Sequence, residues 1–427
     1  MGTRAGIVVT GTEVLTGRVS DRNGPWLAEQ LRILGVDVAQ IIVVGDRPQD
    51  LRASLEFFRG AGVELIITSG GLGPTADDLT AEIVGAFQGR APQLDPALEA
   101  RIATIVERLL AGRGLRHDPV ATAEATRKQA LVPVGARVIE PVGTAPGLVV
   151  PPADGSSGAP VVVLPGPPAE LQGMWPTVLA DPTVLAAIAE RSELRQRTLR
   201  LWGTPESELA ATLRAGADRL DGLEITTCLR SGELEIVTRF APSAQAAYDD
   251  LVALVEANHR DSMFSKSGAS IDEIVADALR SRGLTIATAE SCTAGLLAAR
   301  LTELAGSSDY VLGGLVVYSN AAKTELAGVP VELIDRLGAV SAEVADALAT
   351  GAARRLGADI GVGITGIAGP GGGSADKPVG LVHLCASGLG RSIARRVVLP
   401  GGRSDVRARA VVLSMHLVRE LLAPGVR

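Results

Sequence analysis

Residues 284–304 read LTIATAESCTAGLLAARLTEL, in which an apolar run, a short polar turn and a helical pattern follow one another directly. The run Leu284–Thr288 is predicted to be a buried strand, and a helix is predicted from Thr293 to about Leu304. Ser291 therefore lies in the turn that joins the strand to the helix. Strands that alternate with helices in this way are typical of α/β domains.

A serine in a strand-to-helix turn can act as a nucleophile if a base removes its proton. The chain has only four histidines, so few residues are available as the base of a histidine-dependent hydrolase. Lys323, by contrast, closely follows Tyr318-Ser319-Asn320. A lysine can be that base when desolvation or nearby positive charge lowers its pKa. Tyr318 can relay a proton or position the base. The glycine-rich turn that begins at Thr365 can orient an amide or supply oxyanion donors.

Each of these residues also has a purely structural interpretation. Ser291 or Thr293 can cap the following helix. Lys323 can be a solvated surface lysine, and the turn at Thr365 can be a simple bend. Cys292 is intrinsically the better nucleophile, but small thiols beside sharp turns are commonly buried. Residue types and spacing alone leave these alternatives open.

The composition limits the class of protein. The 427 residues include 46% hydrophobic side chains, as in a globular α/β protein. A formal net charge of −7 and an aromatic content of 3% argue against a broad DNA or RNA surface, so no direct nucleic-acid partner is expected. Three dispersed cysteines and the lack of a bilayer-spanning apolar run predict a cytoplasmic protein without a membrane partner.

Residues 1–172 alternate short apolar runs with helical periodicity, which predicts βαβ units around a largely parallel sheet. The run Val63–Thr68 leads into Ser69-Gly70-Gly71-Leu72-Gly73-Pro74-Thr75-Ala76-Asp77-Asp78-Leu79-Thr80. Glycines let the backbone approach a ligand, and N–H groups at a helix start favour an anion. Asp77 and Asp78 can hold a divalent cation that bridges phosphate oxygens. The alternative is a tight turn whose aspartates favour the helix dipole.

Two further strand ends, Gly11–Gly17 and Pro165–Leu171, carry turns of the same kind. In open parallel sheets, ligands bind beyond the carboxyl ends of the strands. The three loops together predict a nucleotide-type pocket.

Residues 173–264 change in pattern and predict a small α+β domain, with strands at Thr198–Trp202 and Leu234–Phe240. Ser265–Ser270 is the clearest linker in the chain. Ser270 is predicted to cap the first helix of a C-terminal α/β domain that spans residues 265–427.

Five segments of the C-terminal region are TAESCTAGL, GGLVVYSNAAK, LGAVSAEVA, TGIAGPGGG and KPVGLV. In these segments the region resembles the C-terminal domain of the CinA family. That domain is also found alone as nicotinamide-nucleotide amidase. The resemblance implies hydrolysis of nicotinamide mononucleotide to nicotinate mononucleotide and ammonia without a cofactor. It makes Ser291 the nucleophile and Lys323 the base, supported by Tyr318 and Thr365. The implied substrate contacts are Thr293, Gly295, Gly366, Gly369, Arg403 and Arg407. The two arginines are candidates for the substrate phosphate, or surface charges.

The N-terminal region resembles the first domain of the same family, which has the fold of the MoaB/MogA molybdopterin-binding proteins, in GTEVLTGRVSDRN, SGGLGPTADDLT, GTAPG and LPGPPAEL. The resemblance implies a three-layer α/β domain that hydrolyses ADP-ribose to AMP and ribose 5-phosphate with a divalent metal ion. The implied phosphate contacts are Gly70, Gly71, Gly73 and Thr75, and the implied metal contacts are Asp77 and Asp78.

The resemblance also implies a KH-like middle domain and a homodimer. Residues 173–262 contain no GxxG loop, so we interpret the middle domain as a spacer or dimerisation element. Two positions depart from the family pattern: Ala294, where Gly is usual, and Glu140, where Asn is usual.

Two other functions stay open. One is a nucleotide-binding regulatory protein, associated with competence, that binds without turnover. The other is molybdopterin-related binding by the first domain, by analogy of fold alone.

Overall fold

A computed structural model of the protein describes residues 2–113, 118–230 and 232–423. They form two compact units, Met1–Gln196 with Ala241–Ser243, and Arg197–Phe240 with Ala244–Arg427. Within the described ranges, no helix has both the length and the apolar character needed to cross a membrane.

The first unit contains eight strands and eight helices among its described residues. The strands are β1 Arg4–Thr10, β2 Asp37–Val44, β3 Leu65–Ser69, β4 Pro92–Leu94, β5 Leu131–Pro133, β6 Arg137–Ile139, β7 Gly147–Val150 and β8 Val161–Leu164. The helices are α1 Thr12–Leu15, α2 Asn23–Ile33, α3 Pro48–Ala61, α4 Thr80–Phe87, α5 Pro96–Arg113, α6 Pro119–Gln129, α7 Pro168–Leu179 and α8 Pro182–Ala187.

The main sheet of this unit has the strand order β2-β1-β3-β8-β7-β6, and β2, β1, β3 and β8 are parallel. Its central strands are apolar on both faces, so helices cover both sides. On one face Val8 belongs to a core with Phe58 of α3, and on the other Ile7 belongs to a core with Leu27 of α2. The predicted three-layer α/β fold is confirmed.

The predicted boundary after residue 172 falls inside α7. Leu171 and Trp175 of this helix are buried in the same core as Ile7 of β1. Because one helix with one buried face cannot be divided between two cores, the first unit continues to Gln196.

The middle domain, which opens the second unit, has the order β9 Arg195–Trp202, α9 Glu206–Ala215, β10 Leu223–Arg230, β11 Glu233–Phe240, α10 Gln245–His259 and β12 Met263–Ser265. The strand order in its sheet is β10-β11-β9-β12. This is the β-α-β-β-α-β sequence of the split βαβ motif. The α+β class predicted for this region is confirmed.

The C-terminal domain has the strands β13 Ile286–Glu290, β14 Val311–Val316, β15 Ile360–Gly366, β16 Leu381–Gly388 and β17 Arg391–Val398. Its helices are α11 Ile271–Arg282, α12 Leu296–Leu301, α13 Asn320–Ala327, α14 Val331–Leu337, α15 Ala342–Leu356 and α16 Arg403–Leu422. The strand order is β14-β13-β15-β16-β17, with parallel pairing on both sides of β13. Ser270 caps α11 in a capping box with Glu273, as predicted.

His416 of α16 joins the middle and C-terminal domains within the second unit. Its ring stacks on Trp202 with 4.0 Å between ring centroids, and its Nε2 lies 2.8 Å from Oε1 of Glu233. Burial lowers the pKa of His416, although Glu233 acts in the opposite direction. A neutral imidazole that donates to Glu233 therefore fixes the middle domain to α16.

Candidate active sites

The sheet of the C-terminal domain brings the predicted catalytic segments together. Glu290, the last residue of β13, pairs with Val316 of β14 on one side and with Ile364 of β15 on the other. All three strands are parallel, so the residues that follow them leave the sheet at one edge. Ser291 directly follows β13, Lys323 lies in α13 after β14, and Thr365 lies in the last two residues of β15.

The backbone of the Ser291 turn is held from both sides. The Ser291 N–H donates to the Ile364 carbonyl at 2.9 Å, and the Ser291 carbonyl accepts from the Ala294 N–H at 3.2 Å. Ala294 and Gly295 have φ angles of +50° and +92°, which are left-handed. Because a helix cannot continue through left-handed residues, α12 begins at Leu296, and the predicted start at Thr293 is wrong.

The cap of α12 is a carboxylate that precedes the turn. The helix has Gly295 at its N-cap, which offers no side chain, and Glu290 accepts hydrogen bonds from the first-turn amides instead. The alternative in which Ser291 or Thr293 caps the helix is therefore wrong. Glu290 lies within the TAESCTAGL motif, but nothing in the local sequence pattern predicts this role for it.

Lys323 is a buried lysine, with 2% of its surface exposed, and the alternative of a solvated lysine is wrong. Its Nζ donates to the carbonyls of Val317 at 3.0 Å and Tyr318 at 3.1 Å. Burial lowers the pKa of Lys323, while the neighbouring Cys292 acts in the opposite direction. In the described part of the chain, no hydrogen bond joins Lys323 to Ser291.

Cys292 is poorly suited to compete with Ser291. Its side chain belongs to the apolar core of the domain, and burial raises its pKa to about 11. With that pKa, on the order of one thiol in 10⁴ is ionised at neutral pH. The thiolate, which is the nucleophilic form, is therefore scarce.

Tyr318 lies at the edge of the site and has 59% of its surface exposed. Its hydroxyl oxygen accepts a hydrogen bond from Arg403 at 3.1 Å, and the same guanidinium donates to the Gly369 carbonyl at 3.0 Å. Tyr318 thus touches Lys323 through its backbone carbonyl, whereas its side chain faces the predicted phosphate contact.

Thr293 and Arg407 form a second contact on the other side of the turn. Arg407 donates to the Thr293 carbonyl at 3.1 Å. The Thr293 hydroxyl and the Arg407 Nε are buried and have no hydrogen-bond partner within the described residues. Buried polar atoms of this kind usually have partners, so both are suited to bind a ligand.

Thr365 and Gly366 are held by the protein itself. The Thr365 hydroxyl donates to the Ala339 carbonyl at 2.7 Å. A Cβ atom on Gly366 would lie 2.7 Å from the Leu381 carbonyl oxygen, so the neighbouring strand already requires glycine there. Both positions support the turn below the site.

Replacing Ala294 with glycine is expected to stabilise the second unit. A left-handed alanine costs about 1 kcal/mol relative to glycine, which corresponds to about 2–4 °C in Tm for a unit of this size. The matched control is Ala299→Gly, because Ala299 is equally exposed but lies in α12, where glycine costs about 1 kcal/mol. Thermal unfolding should move in opposite directions for the two variants, and a lower Tm for Ala294→Gly would contradict the left-handed turn.

The first unit has a cavity of about 420 Å³ at the carboxyl ends of its strands. The three predicted loops meet there, and the cavity is lined by Gly11, Glu13, Gly70, Gly71, Gly73, Thr75, Asp77, Asp78, Thr144, Pro165 and Glu170, among others. Gly70 has a φ of +106°, and an added Cβ would lie 2.3 Å from the Thr10 carbonyl oxygen. This position therefore requires glycine.

The acidic pair of this cavity shares one donor. The Thr75 hydroxyl contacts Asp77 Oδ1 and lies 2.6 Å from Asp78 Oδ2. One hydroxyl proton cannot serve both carboxylates, so the pair suits a hard cation. The hydrogen bond from Thr75 lowers the pKa of Asp77, which keeps it ionised. Within the described ranges, no three Asp, Glu, His or Cys side chains group closely enough to hold a metal alone. Magnesium commonly binds to one or two carboxylates completed by phosphate oxygens and water.

Two residues of this site were not anticipated from the sequence. Lys128 of α6 donates to the Thr75 carbonyl, which fixes the loop beside the acidic pair. Glu170 of α7 lines the cavity, and burial raises the pKa of its carboxyl group. Glu140, the departure from the family pattern, forms an ion pair with Arg101 at 3.2 Å.

Comparison with known proteins gives matches to both parts of the chain. The family model described as the CinA C-terminal domain matches residues 268–422, and the one described as a probable molybdopterin binding domain matches residues 6–185. A CinA-like protein of Mycolicibacterium vanbaalenii is 57% identical over 430 residues, and one of Mycolicibacterium gilvum is 58% identical over 433 residues. Both alignments cover 100% of each chain.

Among solved structures, the competence/damage inducible protein CihA from Agrobacterium tumefaciens is 42% identical, with a TM-score of 0.35. That match covers 35% of this chain and 94% of the other. The full-length identity to the CinA-like proteins decides the family. The chain belongs to the CinA family.

Proposed function

We propose that the C-terminal domain is an amidohydrolase that converts nicotinamide mononucleotide to nicotinate mononucleotide and ammonia. The observation that carries this proposal is the buried amine of Lys323, whose segment begins at the same sheet edge as the Ser291 turn. Membership of the CinA family adds support, since the sequence motifs of the amidase domain are present.

The hydrogen bonds of Lys323 suit a general base. A neutral amine has two N–H groups and one lone pair, and the Val317 and Tyr318 carbonyls account for two N–H groups. The lone pair is then left to accept the proton of the Ser291 hydroxyl. The serine oxygen attacks the carboxamide carbon, and the carbon–nitrogen bond breaks as Lys323 returns the proton to the departing ammonia. Water then hydrolyses the acyl ester with the same amine as base, which releases the nicotinate product and restores Ser291.

The two arginines support a phosphorylated substrate. Arg403 and Arg407 lie in the first turns of α16, a helix of 20 residues, and each is already fixed by a backbone carbonyl. Guanidinium groups beside a helix N-terminus bind phosphate well. A mononucleotide is therefore a better fit than free nicotinamide.

We propose further that the first unit hydrolyses ADP-ribose or a similar pyrophosphate. The glycine-rich loop of residues 70–75 would hold the phosphates, and Asp77 and Asp78 would hold a divalent cation, which neutralises charge that develops on the pyrophosphate. The raised pKa of Glu170 suits it to exchange a proton with substrate or water in the same cavity.

The pH dependence of deamidation tests the role of Lys323. Burial disfavours the ammonium form, so the pKa of Lys323 lies below its ordinary value of 10.5. The neutral amine is the active form, so kcat should be highest above the lowered pKa and fall as the pH drops through it. We expect ammonia release to rise with increasing pH below 10.5 in the natural protein, and this rise to disappear in Lys323→Met. The same profile in both proteins would exclude Lys323 as the base.

A further inference from the structure

Glu290 is a fully buried carboxylate at the end of β13, with 0% of its surface exposed. Burying an ionised carboxylate costs several kcal/mol unless hydrogen bonds replace the lost water. Glu290 has four such bonds: Oε2 accepts from the N–H groups of Gly295 at 3.0 Å and Leu297 at 3.1 Å, and Oε1 accepts from the Ala298 N–H at 2.8 Å and the Thr288 hydroxyl at 3.2 Å. This complete set of hydrogen-bond partners indicates that the Glu290 carboxylate has a specific structural role.

Three of these four donors are backbone amides on the far side of the Ser291 turn. Glu290 precedes Ser291 by one residue, and Gly295, Leu297 and Ala298 follow it, so the side chain closes the turn into a ring. Amides at a helix start have no partner inside the helix and normally receive one from an N-cap side chain. Here that partner is Glu290. The hydroxyls of Ser291 and Thr293 therefore do not serve as the helix cap.

The backbone of Glu290 ties the same turn to the base. Its carbonyl accepts a hydrogen bond from the Val317 N–H at 2.8 Å, and the Val317 carbonyl in turn accepts from Lys323. One residue thus links the segment of the nucleophile with the segment of the base. Its hydrogen bonds also offset the cost of the left-handed Ala294 within the ring.

We propose that Glu290 is a positioning residue for the Ser291 nucleophile: its buried carboxylate clamps the backbone of residues 291–298 and so holds Ser291 in reach of Lys323. The inference rests on the proposed amidase function. Glu290 does not touch substrate and acts only through the geometry of the turn. Burial raises the pKa of the Cys292 thiol, and the negative charge of Glu290 acts in the same direction. Both effects keep this thiol protonated beside the reacting serine.

The test compares kcat, KM and backbone hydrogen exchange in Glu290→Gln and in the natural protein. Glutamine keeps the shape but replaces one acceptor oxygen by an NH₂ group, which must face backbone N–H donors. A displacement of the nucleophile by about 1 Å lowers kcat by about 100-fold. We expect that loss of kcat with KM changed by less than about threefold, because the predicted phosphate contacts, Arg403 and Arg407, lie on α16. Exchange of the Gly295, Leu297 and Ala298 amides should become faster.

The matched control is Glu273→Gln, which removes the carboxylate of the capping box on α11 in the same domain. It should lower thermal stability but leave kcat within about twofold, because its helix does not carry the nucleophile. Unchanged kcat in folded Glu290→Gln would overturn the proposal, as would an equal loss of kcat in Glu273→Gln.

A milder variant covers the case in which Glu290→Gln does not fold. Thr288→Val removes only the hydroxyl that donates to Glu290 Oε1, and it should lower kcat by about three- to tenfold at unchanged KM. A Thr288→Val protein with the natural kcat and natural exchange rates would then overturn the proposal.

The proposed function and the positioning role fail in different ways. If the natural protein releases no ammonia from nicotinamide mononucleotide, the amidase proposal is wrong. The clamp is still tested by the exchange rates, since slow exchange at residues 295–298 that persists in Glu290→Gln would show that the carboxylate does not hold the turn.

Discussion

Replacing Ser291 with alanine is expected to lower ammonia release from nicotinamide mononucleotide by about 10⁵-fold or more, because the change removes the oxygen that forms the acyl intermediate. The neighbouring Cys292 cannot substitute, since burial raises its pKa to about 11 and its side chain lies in the apolar core. Ser291→Ala should still bind nicotinamide mononucleotide, because the predicted phosphate contacts lie on α16. A coupled assay measures the rate of ammonia release, and calorimetry measures the binding of nicotinamide mononucleotide.

Cys292→Ala is the matched control for this prediction. It removes the thiol next to Ser291 and should leave kcat within about threefold, with a modest loss of stability from the buried cavity. Full activity in Ser291→Ala together with an inactive, folded Cys292→Ala would replace the serine mechanism by a thiol mechanism.

Replacing Asp78 with asparagine is expected to lower metal-dependent formation of AMP from ADP-ribose by more than about 100-fold. Asp78 accepts a hydrogen bond from the Thr75 N–H at 2.9 Å, and asparagine keeps the shape and one oxygen that can accept it. The substitution removes the negative charge that a divalent cation requires. AMP would be quantified by chromatography with and without added magnesium. Deamidation by the same protein should be unchanged.

Asp154→Asn supplies the control, since Asp154 is a fully exposed aspartate of the same unit that pairs only with Arg90 at 3.3 Å among the described residues. It should leave AMP formation within about twofold, as is usual for an exposed surface pair. AMP formation that persists at the natural rate in Asp78→Asn would exclude this aspartate from the site.

The sequence predicts the fold well wherever periodicity and local chemistry coincide. The strand predicted at Leu234–Phe240 begins only one residue earlier, at Glu233, and Ser270 caps α11 because a serine followed by Glu273 can satisfy two backbone amides at once. The domain boundary after residue 172 is wrong, because the helical pattern that begins at Pro168 packs on the sheet before it and not on the domain after it.

The sequence predicts which residues belong to the candidate sites, but not which contacts these residues form. Nothing about an alanine signals a left-handed φ, so the late start of α12 and its cap by Glu290 were not predictable from local pattern. The pairing of Arg403 with Tyr318 joins residues that are 85 positions apart, and it depends on how α16 packs. Asparagine is a residue type that often caps helices, but the Asn23 side chain at the start of α2 donates to Ser69 and to the Gly166 carbonyl instead. Tertiary packing decided each of these outcomes.

The amidase proposal is tested by mixing the purified protein with nicotinamide mononucleotide and measuring ammonia and nicotinate mononucleotide. We expect both products to appear in equal amounts, without added metal, and neither to appear with Ser291→Ala. Saturable binding of nicotinamide mononucleotide with no release of ammonia would contradict it and would favour a nucleotide-binding regulatory protein instead.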